Sequence, residues 1–167
     1  MMERLESRHY LQAWHYLKAL GVTPEEPERH HLYGVVVEAA LTEGLDLLAA
    51  YADHTARYFN FSGAAVVWDH ASHDLDAMID ALLEAGRRVV QATGPWTGPR
   101  PPAPPTGQVR VNMLTPGGVH FGQAAFGTLA ADPVGGPVLS AATALMGALL
   151  ERTGPSNPRK RQSATGG

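Results

Sequence analysis

The sequence predicts an α+β domain, an antiparallel β-sheet of five to six strands with an N-terminal, a central and a C-terminal helix packed on it, in the order α-ββ(β)β-α-ββ-α. Three observations carry that expectation. The stretch ERLESRHYLQAWHYLKAL repeats its apolar residues at three and four positions, the spacing of one helix face. From Leu32 to Asp69 the period falls to two, as it does where successive side chains point to opposite sides of a sheet. TPGG, between VRVNML and VHFGQAAF, is hairpin chemistry, because glycine accepts the positive φ of tight turns.

The elements follow in order. Over 3–20, Tyr10, Leu11, Trp14, Leu17 and Leu20 share a face, Arg8, Gln12, His15 and Lys18 lie largely opposite, and Gly21 closes the helix. The prolines of TPEEPERHH then stop helical continuation. YGVVVEAAL, DLLAAYA, ARYFNF and AAVVWD read as four strands, with Ser62-Gly63 either a turn or a bulge inside one long third strand. Helical spacing returns from Ser72 to Val90, with Leu75, Met78, Ile79, Leu82, Val89 and Val90 on one side. Ser72 is the expected N-cap, with Asp74 and Asp76 in the first turn and Arg87 and Arg88 in the last, complementing the helix dipole.

Residues 94–107 contain six prolines and three glycines and form an internal linker. VRVNML and VHFGQAAF add two strands. Pro137 opens a last helix, VLSAATALMGALLER, that ends at Gly154. One domain therefore covers 1–154, and 155–167 is expected to be a disordered basic tail ending in glycine. In order of elements only, the arrangement resembles the small dimeric chaperones of bacterial type III secretion and their relatives. The resemblance implies a fold; function must come from a site.

Composition excludes several chemistries. The chain has no cysteine, which removes disulfides, thiolate metal sites and thiol catalysis. Its formal net charge is -3, yet three of its 13 Lys and Arg residues are Arg159, Lys160 and Arg161 of the tail, while the 16 acidic residues all lie before it. An acidic body argues against a nucleic-acid partner. The charged start MMERLESRHY is unlike a secretory signal, and PVLSAATALMGALL is too short and too broken by Ser140 and Thr143 to span a bilayer. The expectation is a soluble, cytoplasmic protein with no membrane partner.

Candidate sites are sparse. His70 and His73, three residues apart beside Asp69 and Asp74, form the best metal candidate, with His70, His73 and Asp69 as ligands, although DHASHD also reads as a helix start. Adjacent His30 and His31 fit a solvated loop. Ser62 lacks the elbow of a nucleophilic serine. Glu38 sits on an apolar strand and must find a partner, with Arg57 or Arg110 able to supply it. PGGVHFGQ and PVGGPVLS match no phosphate-binding loop. No cofactor is expected.

With no catalytic motif assembled, the expected function is a non-enzymatic protein-binding, adaptor or chaperone-like role. It would act through a sheet face and apolar helices, as a homodimer holding an unidentified polypeptide partner. Tyr58, Asn60, Trp14, Leu145 and Leu149 are the residues assigned to partner contact. The alternatives are a small metal-dependent enzyme using His70 and His73, or a modifier conjugated through Gly166 and Gly167. Trp14, Phe59, Phe61, Trp68, Leu82, Phe121 and Leu145 are the expected core.

Overall fold

The computed structural model describes residues 6–69 and 72–152. Its elements are α1 (Ser7–Ala19), a single 3-10 turn (Glu28–His30), β1 (Gly34–Ala40), β2 (Leu45–Tyr51), β3 (Thr55–Phe59), β4 (Ala65–Asp69), α2 (Asp76–Ala92), β5 (Gln108–Thr115), β6 (Gly118–Ala125), α3 (Phe126–Ala131) and α4 (Gly135–Arg152). The strands form one six-stranded sheet in the order β4-β3-β2-β1-β5-β6, with each neighbouring pair antiparallel. The α+β class and the expected order of elements are both present. β1 is central, paired to β2 on one side and to β5 across the long excursion through β3, β4 and α2 on the other.

One face of the sheet builds the core. Val35 and Val37 of β1, Leu48 and Ala50 of β2, Tyr58 of β3, Trp68 of β4, and Val109, Val111 and Met113 of β5 are all buried there. Against them α2 sets Ile79, Leu82, Leu83, Val89 and Val90, and α4 sets Val138, Ala142, Leu145 and Leu149. Each fully buried aliphatic side chain contributes about 1.5–3 kcal/mol relative to an exposed one. Gly86 lets α2 come close, since a Cβ there would lie 2.9 Å from both Leu32 Cδ2 and Val35 Cγ2.

The turns have visible causes. Asn60 Oδ1 accepts from the amides of Ser62 and Ala64, each at 3.0 Å, so Ser62-Gly63 is the turn between β3 and β4 and not a bulge. Asp132 Oδ1 accepts from Gly135 N at 2.7 Å and Val134 N at 2.9 Å, which holds its carboxyl below the ordinary range and seats a carboxylate at the start of α4. Gly21, at φ +85°, ends α1 in a Schellman arrangement: its own amide donates to Lys18 O, and that of Val22 donates to Leu17 O.

Four expectations need correction. α2 begins at Asp76 and not after Ser72, because residues 72–75 form a turn that drops Leu75, at 0% exposure, into the core. Its end lies beyond Arg87 and Arg88, at Thr93, whose Oγ1 donates to Val89 O at 2.7 Å. The strand expected through Phe126 stops at Ala125, and α3 follows it. Of the expected core, Trp68, Leu82 and Leu145 are buried, but Phe59 and Phe61 are 37% and 50% exposed. Trp14 and Phe121 are half-buried at the other side of the sheet.

Candidate binding cleft

That other side carries the polar residues of the central strands. Strand alternation places Val36 and Glu38 of β1, Arg110, Asn112 and Leu114 of β5, Phe121 of β6 and Leu47 of β2 on the face away from α2 and α4. They floor a cleft of about 710 Å³, within the size range of ligand sites. Leu11, Trp14, His15 and Lys18 of α1 form one wall, and Trp96, Arg100 and Pro101 of the proline-rich segment form another.

α1 spans this space as a bridge. The amide of Ser7 at its start donates to Asp53 Oδ2 at 3.0 Å, in the β2–β3 turn. Near its end, Lys18 Nζ donates to Gly117 O at 3.0 Å, in the β5–β6 turn. Both turns lie at the end of the sheet where Gly34 opposes Tyr51 and Leu114. Tyr10 stacks on Tyr33 with ring centroids 5.5 Å apart. Within α1 only Ser7 is buried, so the helix covers the sheet without filling the space beneath it. Gly117 has to be glycine: its amide donates to Arg29 O, and a Cβ would stand 2.7 Å from that oxygen.

The proline-rich segment is pinned along its length. The Trp96 amide donates to Val119 O at 2.8 Å, the Trp96 indole to Pro99 O at 2.9 Å, the Arg110 guanidinium to Pro102 O, and the Gly107 amide to Ala40 O at 2.8 Å. Trp96 packs edge-on against Phe121 at 5.3 Å, and the Arg110 guanidinium carbon lies 5.6 Å from the Phe121 ring centre.

The floor is a closed polar network. Arg110 Nη1 meets Glu38 Oε2 at 3.3 Å, and Asn112 Nδ2 donates to the same oxygen at 3.1 Å. Arg110 Nε and Nη2 both donate to Gln123 Oε1, at 2.9 and 2.6 Å. Residue exposures of 3% for Arg110 and 7% for Glu38 mean the pair is held out of water. Arg110 is thus the partner Glu38 requires. The rest of the lining is largely aromatic and aliphatic, with the exposed cations Lys18 and Arg100 among it.

The residues assigned from sequence are dispersed. Trp14 alone of the five expected at a partner surface lines the cleft. Leu145 and Leu149 are at 0% exposure in the core, so their side chains offer no contact surface. Tyr58 is buried too: its hydroxyl donates to Asp46 Oδ2 at 2.7 Å, and burial together with that bond pushes its pKa up to about 12. Asn60 serves the β3–β4 turn. Asp69 is exposed at the end of β4, His73 Nδ1 lies 2.8 Å from Asp76 Oδ2 at the start of α2, and His70 falls outside the described residues, as do Gly166, Gly167 and the whole tail. Among the described residues no three His, Asp or Glu side chains are grouped to hold a metal. No described helix is long and apolar enough to cross a membrane.

Sequence reading missed the cleft because each wall comes from a different segment. The available signal was Glu38, Arg110 and Asn112, polar residues at alternate positions of apolar strands that mark a face unlike the core.

His120 lies on the core side of β6 at 1% exposure, with Nδ1 3.1 Å from Thr93 Oγ1, its ring 6.4 Å from that of His30, and no partner for Nε2 among the described residues. Burial pushes its pKa below the ordinary 6.5, His30 adds to the lowering, and a hydrogen bond at Thr93 opposes it. Below pH 6.5 the unfolded chain therefore takes a proton that the folded chain refuses, and stability falls as pH drops from there towards the lowered value. His120→Leu should flatten that part of a urea-midpoint-versus-pH curve. An unchanged slope would show that His120 titrates normally in the fold.

No protein-family model matches the chain, and neither any curated protein nor any solved structure matches it.

Proposed function

We propose that the chain is a non-enzymatic polypeptide-binding protein, of adaptor or chaperone-like type, that seats its partner in the cleft between α1 and the sheet. One observation carries this reading: the aromatic-walled cleft continues onto a strip of the same sheet face that is apolar apart from Arg57. No lining residue comes from β3 or β4. On that side the paired rows run from Glu38 to Leu47 to Phe59, and from Val36 through Ala49 and Arg57 to Val67. Phe59 and Val67 are 37% and 52% exposed. From β1 to β4 is three strand spacings, about 14 Å, so the apolar track suits a chain-like ligand better than a compact one.

The proposal includes a homodimer formed through α4. That helix buries Val138, Ala142, Leu145 and Leu149, while Leu139 and Met146 remain partly exposed and Leu150 is 39% exposed. Sedimentation equilibrium checks it: the parent should be dimeric and Met146→Glu/Leu150→Glu monomeric. A parent that stays monomeric at high concentration overturns the dimer.

The cleft is tested by purifying the tagged full chain from its own host and identifying the stoichiometric polypeptide that stays with it. Removing an aromatic anchor at the centre of an interface weakens binding by about 2 kcal/mol or more, roughly thirtyfold. Trp96→Ala/Val119→Glu should therefore lose the partner and Leu150→Ala should keep it. A partner retained by the cleft variant, or a parent that comes down alone, overturns the reading.

A further inference from the structure

We infer that the segment seated in the cleft is acidic as well as apolar, with aromatic or aliphatic side chains beside Asp or Glu. This deepens the polypeptide-binding reading and rests on it. Before the tail the chain carries all 16 of its acidic residues, and its formal net charge is -3 even with the tail included. The cleft has the opposite sign. Its lining holds Lys18, Arg100 and Arg110 and a single carboxylate, Glu38, which Arg110 and Asn112 already occupy.

The two rim cations are available. Lys18 Nζ donates to Gly117 O, and an ammonium has two further protons to give. Arg100 is exposed and makes no ion pair or side-chain hydrogen bond among the described residues. The same lining includes Trp96, 50% exposed and oriented by its contacts to Pro99 and Phe121, a rigid aromatic surface with water on one side. A basic rim around an aromatic wall, on a body of the other sign, repels segments that share the body's missing charge and draws in carboxylates. The apolar track towards Phe59 and Val67 then takes the neighbouring side chains, which a small carboxylic acid could not reach at the same time.

The test uses three labelled short peptides with one common Phe- and Leu-containing core, flanked by Glu, Gln or Lys, together with 4-phenylbutyrate as a small carboxylate. Binding to the full chain is read by fluorescence anisotropy, with the small acid as competitor. The Glu peptide should bind about tenfold more tightly than the Gln peptide, the sum expected of two rim ion pairs, and the Lys peptide should bind weakest. High salt should compress the differences. Arg100→Glu, at an exposed position that anchors no element, should abolish the preference for the Glu peptide while leaving the circular dichroism spectrum unchanged. Equal binding of all three peptides overturns the acidic preference and leaves the polypeptide reading standing. Displacement by 4-phenylbutyrate at the affinity of the Glu peptide overturns the polypeptide reading, because the cleft alone then accounts for binding. No binding by any probe overturns both.

Discussion

Arg110→Ala is expected to lower the free energy of unfolding by about 3–5 kcal/mol, the range found when one member of a buried ion pair is removed. In a domain of this size each kcal/mol shifts the thermal midpoint by about 2–4 °C. The loss does not come mainly from the missing attraction. Glu38 is 7% exposed on the central strand, and without Arg110 it keeps only Asn112 as a partner for a charge water cannot reach. Gln123 and the Pro102 carbonyl lose their donor as well, which frees the proline-rich segment at its middle. The double variant Arg110→Met/Glu38→Leu should recover most of the stability, since replacing both charges with apolar side chains of similar volume is often neutral. Urea midpoints of the two variants decide the matter. A single variant within about 1 kcal/mol of the parent would mean that Glu38 is hydrated in the fold.

Leu82→Ala and Leu145→Ala are each expected to destabilise by about 2–5 kcal/mol, whereas Phe59→Ala and Phe61→Ala should change stability by about 1 kcal/mol or less. The two leucines have 0% exposure, at the place where α2 and α4 meet over the sheet. Truncation there removes transfer energy and leaves a cavity that two helices cannot both close. The phenylalanines are larger, yet Phe59 stands on the outer sheet face and Phe61 in the turn after β3, with water on much of each ring. Comparable losses at all four positions would mean that the outer face is covered in solution, which a dimer or a bound partner would accomplish.

This contrast shows what could be read from the sequence. Period two says that Tyr58 and Phe59 point to opposite sides, and the structure keeps that relation. It does not say which side the helices occupy. The register settles it, with Tyr58 opposite Leu48 and Val66, and Ala56 opposite Ala50 and Trp68, all facing α2 and α4. Both faces of this sheet are apolar enough to pass for the inner one, and the purely apolar rings of Phe59 and Phe61 lie on the outer side or in the turn while Tyr58, with its hydroxyl bonded to Asp46, is the one buried.

The apolar stripe of α1 was legible for the same reason, and its destination was not. Leu11 and Trp14 turn towards an unfilled cleft, Leu17 is 36% exposed, and Leu20 80%. Glu38 with Arg110 was legible because a carboxylate on an apolar strand demands a cation. α3 was not: six residues, FGTLAA, lack a side-chain cap at their start and directly continue a strand. The cleft joins α1, β1, β2, β5, β6 and a proline-rich segment, so no local window of sequence contains it.

α1 is held at its two ends by one amide-to-carboxylate bond and one ammonium-to-carbonyl bond, with a tyrosine stack between them. Such a helix is a cooperative unit of its own, since its release leaves the α2, α4 and sheet core intact. Its opening free energy is on the order of a few kcal/mol, set by those contacts and well below that of global unfolding. Release of α1 would take away one wall of the cleft while the core on the opposite face of the sheet stays closed.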